Sequence, residues 1–206
     1  MIALIDYGAG NLTSVRKALA AVGAEVEIPK APSDLANAAG VIVPGVGNFE
    51  ATAVLDRPWK DAIVLAIGQG RPLLGICLGL QWLFAGSTEA PDCEGLALMA
   101  GQCDRLPGGD IVEDGRNWAL KVPHVGWNAL HFPRPSRLFA GIAEGAHVYF
   151  THSYAAPVTG DAVAVTTHGV RFASGVERGR IFGVQFHPEK SGDVGLQVLK
   201  NFLDAV

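Results

Sequence analysis

The sequence predicts an α/β fold with a mostly parallel sheet and an added antiparallel portion. In the first half, short apolar runs alternate with stretches of helical periodicity, the pattern of successive βαβ units. The second half changes to strand and turn signals. An amphipathic stretch closes the chain. With 49% hydrophobic and 17% charged residues, the 206 residues can fill the core of one domain, 1–206, without a disordered segment.

The elements follow in order. Ile2–Ile5 is a short apolar strand. Asn11 is placed to cap a helix over Leu12–Val22, which Gly23 stops. Glu25–Ile28 alternates as a second strand and ends at Pro29. Ser33 can cap a short helix through Ala39. Gly40–Val43 is a third strand, ended by Pro44-Gly45. Pro58 suits the first turn of a helix to about Ile67. Leu73–Ile76 is a fourth strand, and Leu78–Ala85 is compatible with helix. Later strands are predicted over Leu96–Leu98, Ala129–Phe132, Val148–Tyr154, Ala162–Thr167, Phe172–Val176 and Ile181–Phe186. Pro107 to Asn117 is polar and Gly-rich and reads as a surface loop. The closing helix spans about Val194–Leu203, with Leu196, Leu199 and Phe202 on one face.

Composition excludes several classes. A net charge of −4 gives no basic footprint for nucleic acid. Three cysteines, with no C-x-x-C pair, make neither a disulfide framework nor a zinc site, so no metal is expected and a reducing, cytoplasmic setting is. The N-terminus has no basic leader, and the longest apolar stretch, Leu73–Ala85, is too short to span a bilayer. No membrane association is expected.

Ligands of open parallel sheets bind beyond the carboxyl ends of the strands. Four such ends carry unusual residues: Asp6–Asn11, Pro44–Phe49, Cys77, and His187-Pro188-Glu189. Gly75 and Gly79 flank Cys77, as a nucleophile on a sharp strand-to-helix turn requires. The turn would set the sulfur at a helix N-terminus, where free N–H groups favour a thiolate. The same residue also reads as a buried structural cysteine. His187 ends an apolar strand, and Pro188 biases it to an extended backbone. Glu189 can then lie beside its ring, which is triad logic. Leu78 would supply one oxyanion N–H, and Gly45-Val46 the second. Asp6–Asn11 invites a dinucleotide reading, but Thr13 stands where that fingerprint needs its third glycine. His131, His147 and His168 have no spaced partners and read as structural or surface residues. Cys93 and Cys103 read as inert, and Trp82 and Phe84 as core.

Gly75–Gln81 together with Gln185–Glu189 resembles the class I (triad) glutamine amidotransferase family. Asp6–Leu12, Pro44–Phe49, Pro123–Asn128, Tyr149–Tyr154 and His187–Ser191 narrow the resemblance to the branch serving imidazole glycerol phosphate synthesis. The resemblance covers essentially the whole chain, departing at Thr151, where the family usually has Val. It implies a flavodoxin-like three-layer sandwich and no cofactor. It also implies that Cys77 attacks the glutamine carboxamide, that His187 shuttles the proton and that Glu189 holds His187. Gln81, Glu89, Ser153, Tyr154 and Gly47 would bind glutamine. The strand at Gly45-Val46 would have to reorient before donating to the oxyanion. The partner would be a HisF-like (β/α)₈ barrel synthase subunit in a heterodimer, with Tyr149, Lys190 and Trp127 near the interface. Rival readings are a triad glutaminase for anthranilate, GMP or pyridoxal phosphate synthesis, a cysteine peptidase or chaperone of the same fold, or a binding module without activity.

Overall fold

The computed structural model describes residues 1–113 and 116–206. In chain order the first half contains β1 (Ile2–Leu4), α1 (Leu12–Ala21), β2 (Val26–Glu27), β3 (Gly40–Val43), α2 (Arg57–Gly68), β4 (Leu73–Ile76) and α3 (Leu78–Trp82). The second half contains β5 (Asp104–Arg105), β6 (Gly109–Glu113), β7 (Arg116–Leu120), β8 (His124–Ala129), β9 (His147–His152), β10 (Tyr154–Ala155), β11 (Ala162–His168), β12 (Val170–Arg178), β13 (Ile181–Val184) and α4 (Gly192–Leu203).

The central sheet has seven strands in the order β11-β12-β13-β4-β3-β1-β2. The five from β13 to β2 run parallel, and β12 and β11 add on antiparallel at one edge. Strands buried on both faces read as continuous apolar runs, and β3, β4 and β13 are buried at every residue. On one face Val41, Val43 and Leu73 pack with Ile63 and Ala66 of α2. On the other, Ile42, Leu74 and Ile76 pack with Val15 and Leu19 of α1 and with Val198, Leu199 and Phe202 of α4. The result is the three-layer α/β sandwich with the antiparallel portion expected. A hairpin of β8 and β9, with Trp127 opposite Tyr149, lies outside the main sheet.

Local chemistry fixes the helix starts. Asn11 caps α1 as expected, its side chain accepting from the Ser14 N–H. Asp56 caps α2, with Pro58 in the first turn. Ser33 caps nothing. The segment is a 3₁₀ helix, Pro32–Asn37, and the Asp34 carboxylate accepts the N–H groups of Lys30 and Ala31 instead.

Other expectations need correction. The helix after Cys77 stops at Trp82 rather than Ala85, because the chain doubles back on it. The N–H groups of Leu96, Ala97 and Leu98 bond the carbonyls of Trp82, Phe84 and Leu83. Those donors are therefore spent on a helix end, and Leu96–Leu98 is no strand. The strand expected over Ala129–Phe132 lies earlier, at β8, since Ala129 ends the ladder with β9 and only His131 makes a further bridge, to Val165. The expected loop from Pro107 to Asn117 is largely paired strand, β6 against β7. The expectation extends over residues 114–115, which lie outside the described residues. In α4 the buried apolar residues are Val198, Leu199 and Phe202, with Leu196 only half-buried.

Two glycines give the fold a direct test. A Cβ on Gly79 would overlap the Val43 carbonyl, whereas one on Gly68, at the end of α2, meets open space. Gly79→Ala is expected to lower stability by about 3 kcal/mol, because backbone has to move. Gly68→Ala is expected to raise it by roughly 0.5 kcal/mol. Urea unfolding of both variants measures the difference, and equal effects would contradict this packing.

Candidate active site

The site lies at the carboxyl ends of β1, β3, β4 and β13, where all four unusual strand ends converge. Between β4 and α3, Cys77 adopts φ 54° and ψ −105°. A non-glycine residue at positive φ is uncommon, and it persists only where its surroundings enforce it. The enforcement is visible. Cys77 N–H donates to the Val184 carbonyl at 2.7 Å, and Cys77 C=O accepts from Gln81. A Cβ on Gly75 would sit 2.5 Å from the Gly79 carbonyl oxygen, and Gly79 abuts Val43. The two flanking glycines are therefore a steric necessity.

His187 lies beyond the end of β13 and is 2% exposed. Its Nδ1 is 2.8 Å from Glu189 Oε1. The link differs from the expected one. Glu189 reaches the ring through a 3₁₀ turn, Pro188–Lys190, rather than along an extended chain. Ser191 Oγ–H donates to the His187 carbonyl at 2.6 Å and accepts the Tyr149 N–H at 3.0 Å, which locks the turn. Among the described residues, His187 Nε2 has no hydrogen-bond partner. Burial opposes charging this ring, but Cys77 and Glu189 outweigh it and push the pKa up to about 10. The ring is thus favoured as an imidazolium facing the Cys77 sulfur, a pairing that can supply a nucleophile and an acid.

A cleft of about 190 Å³ opens over Cys77. Gly47, Leu78, Gln81, Glu89, Ser153 and Tyr154 line it with Cys77, so every residue that the resemblance assigns to glutamine stands around one space. Glu89 Oε2 accepts the Phe49 N–H at 2.8 Å, which leaves the other oxygen for a cation. Gln81 Nε2 donates to the Tyr154 carbonyl at 2.8 Å and to Gln185 Oε1 at 3.2 Å, so its Oε1 is the atom available to a ligand.

Gly45 and Val46 stand beside Leu78 with the carbonyl, rather than the amide, turned towards it. The Leu78 N–H donates to the Gly45 carbonyl at 3.4 Å. A trans peptide directs its C=O and N–H oppositely, so the Val46 N–H points away from Leu78. Two donors do not converge here. Tyr149, Lys190 and Trp127 form one cluster apart from the cleft. Lys190 Nζ lies 5.7 Å over the Tyr149 ring, and Trp127, 56% exposed, meets the same ring edge-on at 6.2 Å.

Sequence reasoning missed three groups. Gln185, fully buried, donates its side-chain N–H to Cys77 Sγ at 3.6 Å. A polar residue two positions before His187, in a strand otherwise apolar, was the available signal. In the sequence, His152 and His124 stand out only as parts of the Tyr149–Tyr154 and Pro123–Asn128 motifs. His152 lines the cleft, its Nδ1–H donating to the Tyr154 carbonyl at 2.9 Å, so its Nε2 accepts from His124 Nδ1 at 3.0 Å. His124 Nε2 then accepts from Asn128. His168 does have partners: it stacks on His124 at 4.1 Å and bonds the Lys121 carbonyl. No pattern of spacing announces a stack assembled from three separate strands.

These rings are held neutral. Burial, then the neighbouring His152 and His168, lowers His124 to about 3. Burial lowers His152 to about 4 against the pull of the Tyr154 carbonyl, with His168 and His187 adding to the fall.

A family model described as "Glutamine amidotransferase class-I" matches residues 3–206. The chain is 49% identical to "Imidazole glycerol phosphate synthase subunit HisH" of Moorella thermoacetica, over all of this chain and 95% of that one. It is 45% identical to the protein of the same name from a Geobacillus species, covering all of this chain and 97% of the relative. Among solved structures, "Structure of PurLQS from Thermotoga maritima" superposes with a TM-score of 0.74 at 19% identity, covering 98% of this chain and 97% of that one. "Crystal structure of glutamine amidotransferase" gives 0.73 at 18% identity, with 99% and 97% covered. The two structural matches speak to the fold.

The neutral rings predict acid sensitivity. A histidine whose folded pKa lies below its ordinary value binds its proton more readily unfolded. Stability therefore falls as pH drops below about 6.5. His187 acts in the opposite sense, stabilising below its unfolded value and losing that contribution towards about pH 10, which leaves the window from pH 6.5 to 5 clear. His124→Gln is expected to flatten the slope of unfolding free energy in that window by about 1.4 kcal/mol per pH unit, one proton's worth. Urea titrations at several pH values check it, and an unchanged slope would remove His124 from this role.

Proposed function

We propose, from the premise that this chain belongs to the class I glutamine amidotransferase family, that it is the glutaminase subunit of an imidazole glycerol phosphate synthase. It acts as one catalytic domain, in the cytoplasm, within histidine biosynthesis. The full-length relatives named for that synthase subunit support the pathway. The observation that carries the chemistry is a cysteine held at positive φ under a cleft, beside a buried His–carboxylate pair.

Glutamine would enter with its ammonium at Glu89 and its carboxylate at the N–H groups of Ser153 and Tyr154, beside Gly47. Gln81 Oε1 would take a donor from the substrate. The Cys77 thiolate attacks the side-chain carbonyl carbon, and the carbonyl electrons move onto oxygen. That oxyanion needs the Leu78 N–H and, after the Gly45–Val46 peptide turns, the Val46 N–H. His187, charged and held by Glu189, gives its proton to the leaving nitrogen. Ammonia departs and a γ-glutamyl thioester remains. His187, now neutral, draws a proton from water, whose oxygen attacks the thioester and releases glutamate. Gln185 donates to the sulfur each time it regains negative charge.

The Leu78–Gly45 bond suggests why such a glutaminase would idle alone. One oxyanion donor is engaged by a carbonyl and the second faces away. Losing a donor costs roughly 10²–10³ in rate. The partner, a HisF-like barrel subunit, would receive the ammonia before bulk water protonates it. The exposed cluster of Trp127, Tyr149 and Lys190 fits the contact, because Tyr149 shares the backbone bonds that hold the His187 turn.

Cys77→Ala is expected to lower glutamine-dependent synthesis by at least about a thousandfold and to leave ammonia-dependent synthesis intact. Turnover on glutamine in that variant would refute the mechanism. Glutamate release should rise on the order of 10²–10³-fold when the barrel subunit and its nucleotide are added, and an isolated chain already at full rate would refute the gating. His187→Ala should abolish the acyl-enzyme seen by mass spectrometry. A normal thioester in that variant would exclude His187.

A further inference from the structure

Tyr7 follows β1, and its hydroxyl is buried with no hydrogen-bond partner among the described residues. Buried hydroxyl groups are nearly always paired, and an unpaired one loses its water for nothing in return. The position of this one is specific. A Cβ on Gly45 would overlap the Tyr7 oxygen before meeting any other atom, so the hydroxyl rests against the Gly45 backbone. Gly10, from the same loop, packs on Gly45 Cα from a distance of 3.8 Å for its own absent Cβ. Burial, then the charge on Cys77, drives the phenol pKa up. Tyr7 is therefore a permanent donor without an acceptor.

The Gly45 carbonyl has the complementary problem. In this structure it accepts a long bond, 3.4 Å, from the Leu78 N–H. If the Gly45–Val46 peptide turns, that carbonyl leaves Leu78 and must find another donor in a buried place. We infer that Tyr7 is a positioning residue whose O–H receives the Gly45 carbonyl when the Gly45–Val46 peptide turns its N–H towards Cys77. The turn then exchanges one backbone hydrogen bond for one from tyrosine. No buried carbonyl is stranded, and the Leu78 N–H is freed for the oxyanion. This role rests on the reading of the protein as a glutaminase with a two-donor oxyanion hole. A tyrosine kept only for packing has no use for a hydroxyl here, since phenylalanine fills the same volume.

Tyr7→Phe, in the full chain assembled with its barrel subunit and nucleotide, isolates the hydroxyl. The kcat for glutamine hydrolysis is expected to fall about tenfold, the scale of one hydrogen bond. The KM for glutamine should stay within twofold, as should the rate of Cys77 alkylation by iodoacetamide. The unfolding midpoint of the free variant should be unchanged or higher, because the resting hydroxyl has no partner to lose. A kcat within twofold of the parent would overturn the inference. So would an equal loss of alkylation rate, which would move the role to the sulfur, or a clearly lowered midpoint, which would mean a bond already made at rest. Cys77→Ala run alongside separates the two readings. If it still turns over glutamine, the glutaminase assignment fails. If it is dead while Tyr7→Phe is fully active, only the role of Tyr7 fails.

Discussion

The contact between Gly79 and the Val43 carbonyl governs the end of the molecule that carries the cleft. It brings the first turn of α3 directly against β3 at a distance that no side chain permits. Because α3 is pressed so close, the chain leaving β4 must reverse within one residue, and that residue is Cys77, at φ 54°. The same approach places Leu78 against Gly45, so the amide next to Cys77 and the loop after β3 share a hydrogen bond. The conformation of Cys77 and the Leu78–Gly45 hydrogen bond are thus two results of one steric fact. The cost of the strained residue is met by the parallel neighbours, through the Cys77 N–H on Val184 and the interior packing of Ile76 and Leu78.

Around that point the polar groups divide by charge. His187 is favoured in its charged form because it stands between Cys77 and the Glu189 carboxylate at its Nδ1. A second charged ring nearby would be costly in so dry a place. His152 is therefore held neutral, and its hydrogen bonds define which nitrogen carries the proton all the way to Asn128. The amides of Gln81 and Gln185 form a third chain that ends at the sulfur. The histidine and glutamine chains both start from the Tyr154 carbonyl of β10, so that strand orients their dipoles before a substrate arrives.

Much of this was legible in the sequence, and the failures share a cause. The alternating first half reads correctly because β3 and β4 are buried on both faces and each helix carries its own cap, as at Asn11. Cys77, His187 and Glu189 stand out because glycine and proline mark the backbone that holds them. The cleft residues Gln81, Glu89, Ser153 and Tyr154 came through resemblance, and the structure gathers them around one space. What escaped depends on distant partners. Leu96–Leu98 has strand-like composition but spends its N–H groups on the end of α3. The stretch after Pro107 has loop composition yet pairs as β6 and β7. Neither the orientation of the Gly45 carbonyl nor the stack of His124 on His168 leaves a local trace, since a peptide plane and a ring face are set by neighbours far away in the chain.

A side chain at Gly45 would run at once into two neighbours, the Tyr7 hydroxyl and the Leu78 side chain. This has a consequence for how the protein can change over generations. A substitution at Gly45 cannot be accommodated by a compensating change at one neighbour, because the intruding carbon would meet both. Position 45 can drift only together with positions 7 and 78, and position 78 is tied in turn to the backbone of Cys77. The three positions behave as a single inherited unit, in which each ordinary mutational step passes through a damaged intermediate.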